Sequence, residues 1–336
     1  MEALAGIPYV YGMTAILLVC VLYTLFGGLF AVIGTDFIQS WIILVGVCVV
    51  AIAVLSTVSI DEIYANLERN RPALLDVLFP AAIMAVFNNM LFGLGEIFHS
   101  NVWWSRAFAM REGVGRKAYG LAGLIWLPIP IVAGFLGLAA PALGINIARP
   151  DMVGPVVAGT VLGTVGSVLV FIIVFAPLAS SIDSLLAATS DLVLNDFVKG
   201  MIAKDASDQQ LRRLGTGVIV SIGLITWAFC APRIGTLASV LFFAGPLVGS
   251  AIWPIIAGLY WQHTNRNGAV AAMLLGSIGG LIAYFSLGWY TATLIGTAIS
   301  MLIVVGTTRF APQSFAWERL DAGPHQASTP ATGAGS

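Results

Sequence analysis

Ser180-Ser181-Ile182-Asp183-Ser184 puts three hydroxyls and a carboxylate into five consecutive residues, inside a stretch otherwise apolar enough to cross a membrane. Such groups are costly in hydrocarbon unless they line a pathway or find partners. Pro177 has no N–H, so it frees the carbonyl of Ile173 one turn earlier. Serine hydroxyls, a carboxylate and a freed carbonyl are hard oxygens of the kind that bind a small cation. At helical spacing Gly159, Gly163, Gly166, Pro177, Ser181, Ser184, Ala188, Asp191 and Asn195 fall along one face, which Ser180 and Asp183 broaden. Two readings stay open for this stripe. Close packing on glycines, with serines bonded back to the preceding turn, accounts for the small residues. It does not account for Asp183, which needs a cation, a proton or a partner.

Two further groups have chemical potential. Thr35-Asp36 follows Gly27-Gly28, so Asp36 is either an N-cap or a carboxylate at the mouth of a pathway. Asn88, Asn89, Gly93, Gly95, Glu96 and His99 interrupt another apolar stretch, and Phe92-Gly93-Leu94-Gly95 is where that helix is expected to unwind. Broken helices at the midplane expose backbone groups to solutes and ions. Close packing is the competing reading for the glycines, and an ion pair with His99 the competing reading for Glu96. Arg106, just past this stretch, is expected to anchor at headgroups or pair with an acid.

These residues sit on elements whose length a bilayer sets. Charged residues make up 9% of the 336, hydrophobic residues 59%, and the mean hydropathy is +0.95, so the chain is an integral membrane protein. A net charge of -1 gives no footprint for nucleic acid or another polyanion. Hydropathy predicts nine spans at about 9–33, 36–58, 79–101, 116–141, 157–195, 212–231, 236–261, 267–288 and 291–308. The fifth is too long for one crossing, so a re-entrant or interfacial piece at about 155–166 is expected before it. Domain organisation is then a transmembrane domain over 1–310 and a disordered cytoplasmic tail over 311–336, rich in Ala, Pro, Gly, Ser and Thr.

If odd-numbered spans run inward, the inner side carries Arg106, Arg111, Arg116, Lys117, Lys199, Lys204, Arg212, Arg213, Arg266, Arg309 and Arg319. The outer side keeps only Arg69, Arg71, Arg149 and Arg233. This places the chain in the plasma (inner) membrane with its N-terminus outside and its C-terminus cytoplasmic. Met1 to Pro8 has no basic n-region and no cleavage site follows, so an outside start without a signal is expected of a chain lacking helices before Met1. Cys20, Cys48 and Cys230 lie in apolar spans without metal-ligand spacing and read as packing residues. His99, His263 and His325 are scattered and give no catalytic constellation, so an enzyme is not expected and no cofactor is implied.

The motifs together resemble one family. YTLFGGLFAVIGTDFIQ (Tyr23 to Gln39) is similar to the Gly-Gly…Thr-Asp…Gln pattern of the sodium:solute symporters. SSIDSLLAATSDLVLNDFVK (Ser180 to Lys199) resembles their Ser-Ser helix ending in Asp-x-hydrophobic-Lys, and GLYWQHTNRNGA (Gly258 to Ala269) their Gly-Leu-Tyr-Trp…Gly-Ala loop. NVWWSRAFAM (Asn101 to Met110) is a looser match. The stretch from Trp103 through KAYGLAGLIWLPIPIVAGFLGLAA is most similar to the urea active transporter branch.

The resemblance implies an all-α, multi-pass helical bundle of two inverted five-helix repeats, here partial. The first two spans would close the first repeat, the third to seventh would form the second, and the last two would be peripheral. Sodium would be the coupling ion, with Ser180 and Ser181 giving side-chain oxygens and Pro177 a carbonyl, and Asp36 on the ion's exit path. Asp183 is added to the sodium set, from its own chemistry, as a second cation or proton site. A small polar solute, urea-like in the first instance, would meet Asn89, Gly93, Gly95 and Glu96 and be carried by alternating access. In the family the Ser-Ser helix meets the unwound first repeat helix, so a missing N-terminal segment is expected to supply the other half of the site. A sensory module feeding a kinase is the alternative, and would need a long cytoplasmic domain after the last span; a non-functional fragment of a symporter is another.

Overall fold

The computed structural model describes residues 6–146 and 152–316, except the side-chain surroundings of 27–31, 164, 165, 167, 208 and 237. Arg149, Arg319, His325 and most of the expected tail lie outside those residues. The described chain is helical, with nine helical stretches long and apolar enough to cross a membrane. Seven of them fall within a few residues of the hydropathy spans, because bilayer thickness fixes the length of an apolar run; the first ends early, at Phe26, and the fifth is shifted to Val168–Ile202. Contacts divide the chain into two units, one of Met1–Val77 with Asn101–Thr236, the other of Leu78–Ser100 with Leu237–Ser336.

The first unit is built on α1 (Tyr9–Thr57) and a later long helix, α7 (Val153–Leu192). α1 carries two membrane-length arms, Tyr9–Phe26 and Val32–Thr57. Cys20 Sγ reaches the Ala179 carbonyl, and Thr24 borders a cavity with Ala187 and Asp191, so the first arm runs parallel to α7. Asp36 meets Ser180 and Ser184 while Gly46 packs on Ile173, so the second arm runs antiparallel. A straight helix would set Cys20 and Asp36 about 24 Å apart along its axis. They flank neighbouring residues of α7, so the chain reverses between the arms. Gly27 and Gly28, between the two arms, lie outside the residues whose surroundings are described.

α7 breaks at Gly163, whose φ of 65° and ψ of -154° suit a residue without Cβ. The apolar piece Val153–Gly163 precedes the crossing Val168–Ile202, matching the division expected of an overlong segment. The crossing ends in a π-helical stretch, Val193–Ile202. Val50 and Val54 of α1, with Val58 just past its end, pack with Val157, Ala158 and Val170 of α7. Between them come α2 (Ile60–Asn70), α4 (Asn101–Ala109), α5 (Gly115–Trp126) and α6 (Pro128–Ala142); α8 (Asp208–Cys230) follows. α2 opens on a capping box of Ser59 and Glu62 and buries Ile63 and Leu67, one turn apart, in the same core. The expected span at 116–141 is jointed between α5 and α6, where Pro128 and Pro130 remove two ladder donors.

The second unit holds α3 (Pro80–His99), α9 (Leu237–Phe243), α10 (Gly245–Gly249), α11 (Ile252–Tyr260), α12 (Arg266–Ser286) and α13 (Ala292–Phe310). The span expected as one helix over 236–261 is three short helices. Hydropathy sums side chains and does not register the breaks around Gly245-Pro246 and Ser250. α12 and α13 approach so closely that a Cβ on Gly276 would lie 2.7 Å from the Gly296 carbonyl oxygen. Small residues allow that approach, and dispersion contacts then hold the pair.

Candidate functional site

In the first unit, Ser180 and Ser184 stand one helical turn apart on α7 and both turn toward Asp36 on the second arm of α1. Ser180 Oγ donates to Asp36 Oδ1, and Ser184 Oγ lies 3.4 Å from Oδ2. Arg106 of α4 completes the group: its Nη2 lies 2.7 Å from Asp36 Oδ2 and 2.8 Å from Ser184 Oγ, while Nη1 donates to the Val102 carbonyl at 3.0 Å. The side chains of Arg106 and Asp36 are only 18% and 21% exposed. Asn101 fixes α4 from its other end, donating through Nδ2 to the Ala188 carbonyl at 3.2 Å. A carboxylate, two hydroxyls and a tethered guanidinium therefore form one hydrogen-bonded group drawn from three helices.

The N-cap reading of Asp36 is corrected here. Asp36 lies past the first turn of the second arm, Val32–Thr57, and its carboxylate bonds to side chains of other helices, Ser180, Ser184 and Arg106. Arg106 takes the acid-pairing role, and its partner is Asp36. Ser184 stood in the polar run and on the small-residue stripe but not among the expected sodium ligands, although its spacing of four from Ser180 is the signal that puts both on one face.

The other proposed cation ligands separate by helical phase. Each residue turns about 100° from the last, so Ser181 is exposed where Ser180 faces Asp36. Pro177 is half-buried. Asp183 is 0% exposed and shares a face with Ala179 and Leu186, which pack on Leu17 and Cys20 of the first arm. Its Oδ1 accepts from the Ser184 amide, and Oδ2 finds no hydrogen-bond partner among the described residues. α7 thus presents two polar faces side by side, one toward Asp36 and one carrying Asp183 into an apolar seam.

The proposed solute residues all lie on α3, in the second unit. The expected break at Phe92–Gly95 is absent, since α3 is continuous from Pro80 to His99. Gly95 instead lets α3 sit against the Val248 carbonyl of α10, where a Cβ would come within 2.5 Å of that oxygen. Gly93 has open space beside it, Asn89 is exposed and Glu96 half-buried. His99 Nδ1 is 3.1 Å from the Gly95 carbonyl. Asn88 is the buried member of its pair: Oδ1 accepts from the amides of Thr293 at 3.0 Å and Leu294 at 3.4 Å, capping the first turn of α13.

A model of the sodium:solute symporter family matches residues 1–276, and the chain belongs to that family. Its helices and family make it a multi-pass membrane protein. The osmoregulated proline transporter OpuE of Bacillus subtilis (strain 168) is 27% identical over 288 residues, covering 84% of this chain and 58% of OpuE. The urea-proton symporter DUR3 of Oryza sativa subsp. japonica is 30% identical over 214 residues, 59% of this chain and 29% of DUR3. The chain thus matches 58% of the length of OpuE and 29% of that of DUR3. A substrate-bound outward-open Na+-coupled sialic acid symporter superposes with a TM-score of 0.71 at 18% identity, over 94% of this chain and 70% of that one, and shares the all-α fold.

Proposed function

We propose that the chain is part of a secondary active transporter that couples sodium to the uptake of a small polar solute by alternating access. The observation that carries this reading is the Asp36 group. In a span otherwise apolar, a carboxylate flanked by Ser180 and Ser184 is a set of hard oxygens suited to a small cation. Arg106 supplies the positive charge in the arrangement seen, so it acts as a tethered cation that a mobile sodium ion displaces. Ser180 is the α7 ligand in this group and Asp36 stands on the ion's exit path, while Asp183, on a separate face, is read as a second cation or proton site.

A urea-like solute is the lead, supported by DUR3 among the relatives and by the carboxylate Glu96, which suits an amide or a cation. OpuE makes proline the comparison. Sodium-dependent uptake of labelled urea and proline by the full-length protein in proteoliposomes tests both parts. Ser180→Ala should raise the sodium concentration for half-maximal uptake several-fold, while solute affinity at saturating sodium changes less. Ser180→Ala with unchanged sodium dependence would remove the coupling role, and preference for proline retained in Glu96→Gln would remove the urea assignment.

A further inference from the structure

The turn that joins the π-helical end of the α7 crossing to α8 shapes an open cleft of ≈ 540 Å³ in the first unit, lined by Ile202, Lys204, Asp205, Gln210, Arg213 and Leu214. One membrane-length stretch ends at Ile202 and the next begins at Gln209, so the cleft lies at the level of the lipid headgroups. Its shape follows from the local backbone. The Ala203 amide extends the π-helical pattern by donating to the Val198 carbonyl at 2.6 Å, and the Ala206 amide closes a turn on the Ala203 carbonyl at 3.1 Å. Ser207 then caps α8, and Gln210 Oε1 accepts from the Ser207 amide at 2.9 Å, which fixes Gln210 beside the turn. Arg213 and Leu214 follow Gln210 by three and four residues, so one face of α8 turns toward the cleft.

The lining divides by chemistry. Ile202 and Leu214 are exposed apolar side chains. Lys204 and Arg213 are exposed cations that make no ion pair among the described residues. From 199 to 213 the chain carries Lys199, Lys204, Arg212 and Arg213 against Asp205 and Asp208, on the side that the Lys and Arg distribution predicts to be cytoplasmic. Surplus positive charge beside an apolar edge complements an anionic lipid. A soluble anion would leave Ile202 and Leu214 without a partner.

We propose that this cleft binds an anionic phospholipid of the phosphatidylglycerol type, with its phosphodiester between Lys204 and Arg213, its glycerol hydroxyls donating to Asp205, and an acyl chain along Ile202 and Leu214. The planar fork of Arg213 offers paired donors to a phosphate, and Lys204 adds a point charge. An ethanolamine headgroup would satisfy Asp205 but, being neutral overall, would leave the surplus charge unmatched. The inference needs only the membrane placement of the two helices and is independent of the ion and solute carried.

The test titrates the full-length protein in detergent with lipid and reads bound lipid per protein by native mass spectrometry. Lys204→Ala and Arg213→Ala should each weaken phosphatidylglycerol binding about 5-fold. Arg212→Ala removes the same charge from a residue outside the lining and should weaken it by about 2-fold at most. Phosphatidylmethanol has the same charge and no headgroup hydroxyl, so it should bind about 5-fold more weakly than phosphatidylglycerol to the parent and equally to Asp205→Ala. Lys204→Gln and Arg213→Gln repeat the measurement should an alanine variant misfold. Equal losses in all three cation variants would mean a diffuse field and overturn the site. So would displacement of the lipid by inorganic phosphate at equal concentration, or equal affinity for phosphatidylethanolamine.

Discussion

The α1–α7 interface of the first unit and the α10–α12–α13 packing of the second both bury polar groups, but with different partners. In the second unit the polar groups are hydroxyls and an amide, and most of their bonds go to nearby helices. Ser300 Oγ donates to the Ser250 carbonyl at 2.6 Å, Ser250 and Ser277 share a 2.9 Å bond, and Asn88 caps α13. In the first unit the group is ionisable and its bonds run side chain to side chain. Polar residues that glue membrane helices need no charge, because backbone groups satisfy them. Ionisable residues there are a burden on stability that only a pathway or a fixed partner offsets.

Breaking the ion pair should have the largest effect. Arg106→Met leaves Asp36 charged, mostly buried and without its cation, and should destabilise the first unit by about 3 kcal/mol. The double variant Arg106→Met/Asp36→Asn should recover most of that. Thermal unfolding in detergent, with and without sodium, gives the measurement. If Arg106 occupies a cation's place, sodium should stabilise Arg106→Met more than the parent, and an equal shift in both would contradict that reading.

A clash in the glycine seam should cost somewhat less and leave the ion chemistry untouched. Gly276→Val drives a side chain against the Gly296 carbonyl and against Ser250 Cβ, 2.8 Å from the new Cβ, and should destabilise by about 1–3 kcal/mol. Sodium dependence per folded molecule should match the parent, and a changed dependence would show that the two regions are not separable in function. Asn88→Ala is the milder test of the same region, since losing one helix cap costs about 1 kcal/mol. Asn88→Leu fills a similar volume without an acceptor and should lose as much as Asn88→Ala; a clearly smaller loss would mean the side chain acts through packing alone.

The sequence made the spans, the break near Gly163 and the polar face of α7 readable, since each follows from bilayer thickness or from helical phase within one segment. It left the partners of that face unread. Asp36 and Arg106 are 70 residues apart, and Asn88 and Thr293 are separated by 205. No local period links positions that only the folded chain brings together. Two local readings failed for the same reason: Thr35-Asp36 has the composition of a cap and Phe92–Gly95 that of a break. In the first, side chains from α4 and α7 claim the carboxylate; in the second, the Val248 carbonyl explains the glycine.

The smallest effect is expected where a carboxylate of the first unit serves only its own backbone. Glu62 accepts from the Ser59 amide at 2.8 Å and from the Ser59 hydroxyl at 2.9 Å, and these bonds, the amide first, hold its carboxyl below the usual carboxylate range. A group whose folded pKa is lowered contributes stability above its unfolded value and loses it as pH falls through the folded value. Protection of the first amides of α2 against hydrogen exchange, corrected for intrinsic rates, should therefore be constant at neutral pH and decline only in the acidic range below the ordinary carboxylate value of 4.5. Glu62→Gln keeps an acceptor without a titrating proton, so its protection should start slightly lower and stay flat. A decline of the same size in Glu62→Gln would assign the acid sensitivity to another carboxylate.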